Sequence, residues 1–505
     1  MDRAEKRYFK LFTGRHMLGG HSNHQLLFDA IAAMEEYDEN ALLQRFKDAP
    51  LTNRFAVTKR RLYETILKSL DAYHAESSVD ARLYRTLHHV ELLFQRALYE
   101  DASKVLQSAR KLARQAQKQP AMLAVLQWER RLMEVGNYGQ VDKPMIQQLA
   151  RESEELLAEQ RELDSLWALK SEVLMDLYRQ GQTRNEQGLK EMRALMDHPL
   201  LRSAKTLRTA RARFLYHHVH GAAAFATGAL TRCIDHLSAN HVLLEEERER
   251  FQDEPNLILS TLSNLIVMHV RLGHYEEAFS LLHRFRTLPE EWKMPETGDL
   301  DLKLFSTSTS LELTMHTRMG AFSKALELVP SVERGLAQHG DRLGAVRKAG
   351  LYYQVAYAYF GAGRPDLALK WSQRLLNDVH IDESAEIGCF GRLLNLLAHI
   401  DSGETDLLPY AFRSTERYLE TRQRLYRFEP IFLDMVKAVM KAKGPDALAL
   451  AYQAFLERSL PLEQDPMEHA VFDHLDPIAW AQSKIQGRTF AELVSERALS
   501  PTKAA

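Results

Sequence analysis

The sequence predicts an all-α protein of about nine long helical hairpins, preceded by a helical head and closed by a capping helix. Three observations carry this prediction. Apolar residues recur every three or four positions through most of the 505 residues, as on one face of a helix. No alternating run of five or more residues reads as a strand, and Leu and Ala outnumber Val and Ile, which suits helix over sheet. Small-residue turn signals recur at near-constant spacing. The prolines fall singly and mostly between periodic segments, Pro289 and Pro330 among them, where a missing N–H does least damage to a helix.

The head spans residues 1–78. Helical patterns cover 3–13, 25–34, 41–47 and 57–73 without the later turn signal. From 79 to 462 the hairpins follow. In 83–114, Leu83, Leu87, Val90, Leu93, Phe94, Leu98, Val105, Leu106 and Leu112 keep the helical interval. Turns carry a small residue, an aromatic two positions on, and an alanine three further. Gly273, Tyr275 and Ala278 form one such set, and Gly320, Phe322 and Ala325 another. Ala97, Tyr99 and Ala102 repeat the scheme, while Gly363 with Ala368, and Gly228 with Cys233, keep it loosely. The anchors 97, 136, 181, 228, 273, 320, 363, 403 and 444 lie 39–47 residues apart. The glycine permits the tight turn, the aromatic wedges under it, and the alanine lets two helices approach. Residues 463–496 read as a cap, because a stack of hairpins ends on an apolar face. Residues 497–505 read as a flexible tail.

This pattern resembles the tetratricopeptide repeat, whose helix-turn-helix unit has Gly, Tyr and Ala at these offsets. Leu262 and Leu265 stand where the family has large apolar residues, and Pro289 lies near its closing proline. The resemblance covers residues 80–460 and implies a right-handed α-α superhelix. The family's unit is about 34 residues, so each helix here is expected to be about one turn longer, roughly 18 residues or 27 Å. The stretches EKRYFKLF and RFAVTKRRLYETILKSLDAYH resemble the opening of an uncharacterised family of bacterial tetratricopeptide-type proteins.

Composition narrows the function. With 66 basic and 68 acidic residues the net charge is −2, unlike a chain that coats nucleic acid or an anionic membrane. Two cysteines form no disulfide framework. The N-terminus lacks a signal-peptide core, and no apolar stretch approaches membrane-spanning length, so a cytoplasmic location is expected. Phosphate-binding glycine loops, nucleophile elbows, HExxH and CxxC are absent from the sequence. No enzymatic activity, cofactor, metal or small-molecule substrate is expected. His16, His21 and His24 cluster, as do His217, His218 and His220. His217 and His220 share a helical face, but no Cys, Asp or Glu lies close by to complete a zinc set. Trp128, Trp167, Trp371 and Trp480 fall within helical patterns and read as core.

Two stretches read as a binding surface. The basic series Arg202, Lys205, Arg208, Arg211 and Arg213 precedes the Gly228 turn and belongs to the first helix of its hairpin. In tetratricopeptide arrays first helices line a concave groove, so part of this series is placed to hold an acidic peptide or phosphate. The second stretch joins Arg347 and Lys348 to an aromatic first helix, where Tyr353 or Tyr357 could point into the groove. Asn264 occupies the position of the family's asparagine ladder, but its equivalents are Val219, Leu311, Gln354 and Leu394, so that code is missing, as is the carboxylate clamp.

The expected function is a protein–protein interaction scaffold or adaptor that binds a peptide or partner protein in the groove. The alternative is a transcriptional regulator whose head binds DNA. There the pattern 57–73 follows the break at Pro50–Thr52 and opens with Lys59, Arg60 and Arg61, as a helix-turn-helix requires. The first 75 residues hold 12 basic and 10 acidic side chains, so their field is weak.

Overall fold

A computed structural model of the chain describes residues 1–499 apart from 2, 15–22, 35–36, 50–51, 140, 184, 295–296, 378–384, 404–405, 466–467 and 469. Among the described residues every regular element is helical, and no helix is long and apolar enough to cross a membrane. The chain divides into two compact units, Met1–Leu156 and Leu157–Ala505.

The first unit opens with α1 (Arg3–Gly14), α2 (Asn23–Ala32), α3 (Glu39–Arg45) and α4 (Phe55–Tyr73). Phe9, Leu27, Phe28, Leu42, Phe55 and Leu62 close a small core between them. Next come α5 (Val79–Phe94), α6 (Tyr99–Gln115) and α7 (Gln119–Val135). The Ser78 hydroxyl caps α5 by accepting from the Ala81 N–H at 3.1 Å. Leu83, Leu87, Val90, Leu106, Met122 and Val125 pack where these helices meet.

Then α8 (Lys143–Gln180) runs unbroken for 38 residues. The repeat spacing predicts two helices here, one on each side of a turn. No Gly or Pro occurs between Pro144 and Gly181, so nothing interrupts the hydrogen-bond ladder.

The second unit continues with α9 (Glu186–Met196), α10 (Ala210–Ala226), α11 (Leu230–Glu246), α12 (Arg248–Phe251), α13 (Pro255–Arg271) and α14 (Tyr275–Glu291). It goes on through α15 (Gly298–Arg318), α16 (Phe322–Glu327), α17 (Val329–His339), α18 (Ala345–Gly361) and α19 (Pro365–Asn377). The last hairpins are α20 (Ala385–Ser402) with α21 (Leu408–Thr421) and α22 (Phe428–Lys441) with α23 (Pro445–Ser459). Three short helices end the chain: α24 (Ala470–His474), α25 (Pro477–Gln486) and α26 (Phe490–Leu499). The sequence places the tail from residue 497, but helix persists to Leu499; residues 500–505 lie outside the described residues.

Within this unit α13, α15 and α18 each pack on their own partner helix and on the first helix of the next hairpin. First helices α13, α15, α18 and α20 also pack on one another in chain order. The turns share one geometry. Gly228, Gly273, Gly320 and Gly363 have φ of 69–76°, a left-handed conformation that costs glycine nothing. The N–H after each donates to the carbonyl five residues back, as from Ala321 to His316 at 2.9 Å and from His274 to His269 at 2.8 Å. Ala278, Ala325 and Ala368 are fully buried. Phe322 lies flat on Gly361 of α18, where any Cβ would stand about 2.1 Å from the ring. Two prolines depart from the expected spacing: Pro289 lies within α14 rather than after it, and Pro330 divides the second helix of its hairpin into α16 and α17.

Candidate functional site

The first helices α13, α15, α18 and α20 are already contacted, and the occupant is the chain's own C-terminal segment. The sequence reads that segment as an end cap. Part of it is one: Trp480 of α25 is 0% exposed and packs edge-on against Tyr452 of α23. The rest reaches back across four hairpins. Arg318, at the end of α15, donates to the main-chain carbonyls of Phe472 at 3.0 Å and Asp473 at 3.1 Å. The Tyr353 hydroxyl of α18 donates to the carbonyl of His474 at 2.7 Å. Three consecutive carbonyls of α24 are thus read by side chains of two first helices.

Charge and aromatic packing complete the seat. The Asp473 carboxylate lies between Arg271 at 2.8 Å and Arg318 at 3.4 Å. The His474 ring stacks on Phe390 of α20 at 4.4 Å, and burial pushes its imidazole below the usual range. Asp401, near the end of α20, accepts from the Trp480 indole N–H at 3.1 Å and pairs with Lys484 at 2.7 Å. Arg271, Arg318 and Asp401 each stand two residues before a turn glycine, so one register position on three of these four hairpins addresses the segment, Gly361 holding it in the other.

This arrangement relocates the expected groove residues. Tyr353 and Tyr357 are 5% and 7% exposed; they stack on each other at 6.3 Å beneath the segment instead of facing an open groove. Burial raises both phenols well above their ordinary range. The basic series is not one helix. Arg202, Lys205 and Arg208 are exposed but precede α10, which starts at Ala210 because Thr209 caps it, accepting from the Ala212 N–H at 3.0 Å. Arg211 and Arg213 do lie on α10, and each is paired, with Glu254 and with Glu247. Asn264 on α13 and Arg347 on α18 are exposed.

In the head, Lys59 pairs with Glu39 of α3 and Arg60 with Glu64, leaving Arg61 exposed. Two of the three cations expected on a recognition helix thus stand beside a carboxylate. Trp167 is 60% exposed on α8 rather than part of a core.

Sequence spacing hid two further clusters. His236 of α11 joins His217 and His220, with Nδ1 atoms of His217 and His236 3.0 Å apart and the rings of His220 and His236 stacked at 4.7 Å. His220 Nε2 lies 2.9 Å from the Leu201 carbonyl. Burial lowers all three, His236 to about 4. No group of three potential metal ligands is found among the described residues; His16 and His21 lie outside them. In the first unit an open cleft of about 590 Å³ is walled by Leu132, Met133 and Met145 and by the ion cluster of Arg110, Glu129 and Glu152. Cys233 and Cys389 are buried, and burial pushes both thiols up to about 11, the opposite of what a nucleophile needs. Comparison with protein-family models and with curated proteins returns no match for this chain.

Proposed function

We propose that this chain is a non-enzymatic interaction protein of the cytoplasm, a tetratricopeptide-like solenoid whose hairpins wind as a right-handed superhelix and whose first helices capture peptide segments of a partner. One observation carries the reading. The first helices already hold a peptide, reading the carbonyls of Phe472, Asp473 and His474 and seating a carboxylate between two guanidinium groups. Capture of main-chain carbonyls at a helix end, with one charged pocket beside them, gives a rigid helical surface both hold and register on a bound segment. The buried, unreactive thiols of Cys233 and Cys389 fit the same reading.

A photo-crosslinking residue at Asn264, and separately at Gln354, in the native host tests this. The expected outcome is the same partner protein at both positions, still captured after charge reversal of Lys59, Arg60 and Arg61. Crosslinks absent at both positions, together with salt-dependent DNA binding lost on that reversal, would refute it.

A further inference from the structure

The parts of the C-terminal segment are held very differently. In α25, Ile478, Ala479, Trp480 and Ala481 are all fully buried. In α26 the apolar contact comes down to Phe490, Leu493 and Val494. Phe490 sits among Phe322 at 5.6 Å, Phe360 at 5.6 Å and Tyr357 at 6.2 Å. Arg497 reaches Asp476 at 2.9 Å and also pairs with Glu463. The backbone of α26 comes so close to the turn at Gly320 that a Cβ there would meet Ser495 N at 2.6 Å and Ala491 O at 2.7 Å.

Ten residues are fewer than a helix needs to persist alone, yet α26 has its own cap. The Thr489 N–H donates to the Glu492 carboxylate at 3.0 Å, and the Glu492 N–H returns a bond to the Thr489 hydroxyl at 3.3 Å. Gly487, left-handed at φ 67°, and the exposed residues Arg488 and Thr489 join it to α25. A self-capped helix on a short exposed joint can leave without disturbing Trp480.

We infer that α26 is an exchangeable internal ligand, and that the aromatic pocket of Phe322, Tyr357 and Phe360 accepts in its place an amphipathic partner helix with large apolar residues at i, i+3 and i+4 and a basic residue at i+7. That spacing is the one Phe490, Leu493, Val494 and Arg497 display, and the basic residue answers the carboxylates of Asp476 and Glu463. The inference rests on the proposed reading of this face as a peptide-binding surface.

The test uses the full chain and a fluorescent synthetic peptide of residues 487–499. The double variant Phe490→Ala, Val494→Asp is expected to bind this peptide at least tenfold tighter than the parent by anisotropy, and adding Phe322→Ala should abolish the gain. In the parent, hydrogen exchange of 490–499 is expected to run at least a hundredfold faster than that of 345–361. Equal peptide affinity in parent and double variant, exchange of the two segments in step, or a dimer formed by swapping α26 between copies would each overturn the inference. The two readings fail separately: peptide exchange without crosslinks at Asn264 and Gln354 leaves the exchangeable helix standing without the partner surface, and crosslinks without exchange do the reverse.

Discussion

Asp473 shows how much one side chain can decide. Its carboxylate is buried between two arginines, so removing it leaves two guanidinium groups with their charge uncompensated. Asp473→Ala is expected to destabilise the second unit by about 3–5 kcal/mol, measured by urea unfolding. A loss below about 1 kcal/mol would mean that the pocket is wet. The histidines set a pH dependence. Burial holds His218 and His236 near 4 against an ordinary value of 6.5, with Lys170 adding to the effect on His218 and His217, His220 and Arg232 on His236. Between pH 6.5 and about 4 the unfolded chain takes up protons that the folded chain refuses, so stability is full above 6.5 and falls as pH drops through that window. The urea midpoint should therefore fall from pH 7 to pH 5, and His236→Gln should flatten the slope. An unchanged midpoint would place these rings in solvent. The cluster of His217, His218 and His220 was legible in the sequence, but the Asp473 pocket and the place of His236 were not, because Asp473 lies 155 residues from one of its arginines and His236 lies 19 residues from His217. No helical period links them.

At the scale of the element, the turns were legible because their cause is local. A left-handed glycine and the hydrogen bond over it involve six residues, and the buried alanine follows at a fixed offset. Ala278→Leu and Ala325→Leu should each cost about 1–3 kcal/mol by forcing paired helices apart. The exposed control Ala337→Leu should stay within about 0.5 kcal/mol. Thermal melts of the three variants check this, and equal melting would mean that the alanines do not set the helix spacing. The long α8 had a sequence signal too, the absence of Gly and Pro from 145 to 180; an expected repeat period outweighed it. The basic series failed for the opposite reason. Its charges suggested a helix face, but Thr209 supplies a cap and starts α10 after Arg208.

At the scale of the molecule, the all-helical architecture followed from periodicity, whereas the occupied face did not. Which residues line a surface is local information; what lies on it depends on contacts across more than a hundred residues. One trace was present: Arg271, Arg318 and Asp401 put charges at the same register position in three hairpins, beside buried helix ends. Removing residues 468–505 should bare Tyr353, Phe390 and Phe322 together. Light scattering should then show aggregates where the full chain runs as a single species. A monodisperse truncated chain would mean that these aromatics repack on their own.

Arg318 also has to wait for its partner. Phe472 is 154 residues further along the chain, and at roughly 5–20 residues per second a ribosome takes roughly 8–30 s to deliver it. From the completion of α18 until then, the aromatic wall of Phe322, Tyr353 and Tyr357 is synthesised but uncovered. The nascent chain is therefore most exposed to wrong association after α20 and before α24 has been made, and a translational pause there would lengthen that exposure.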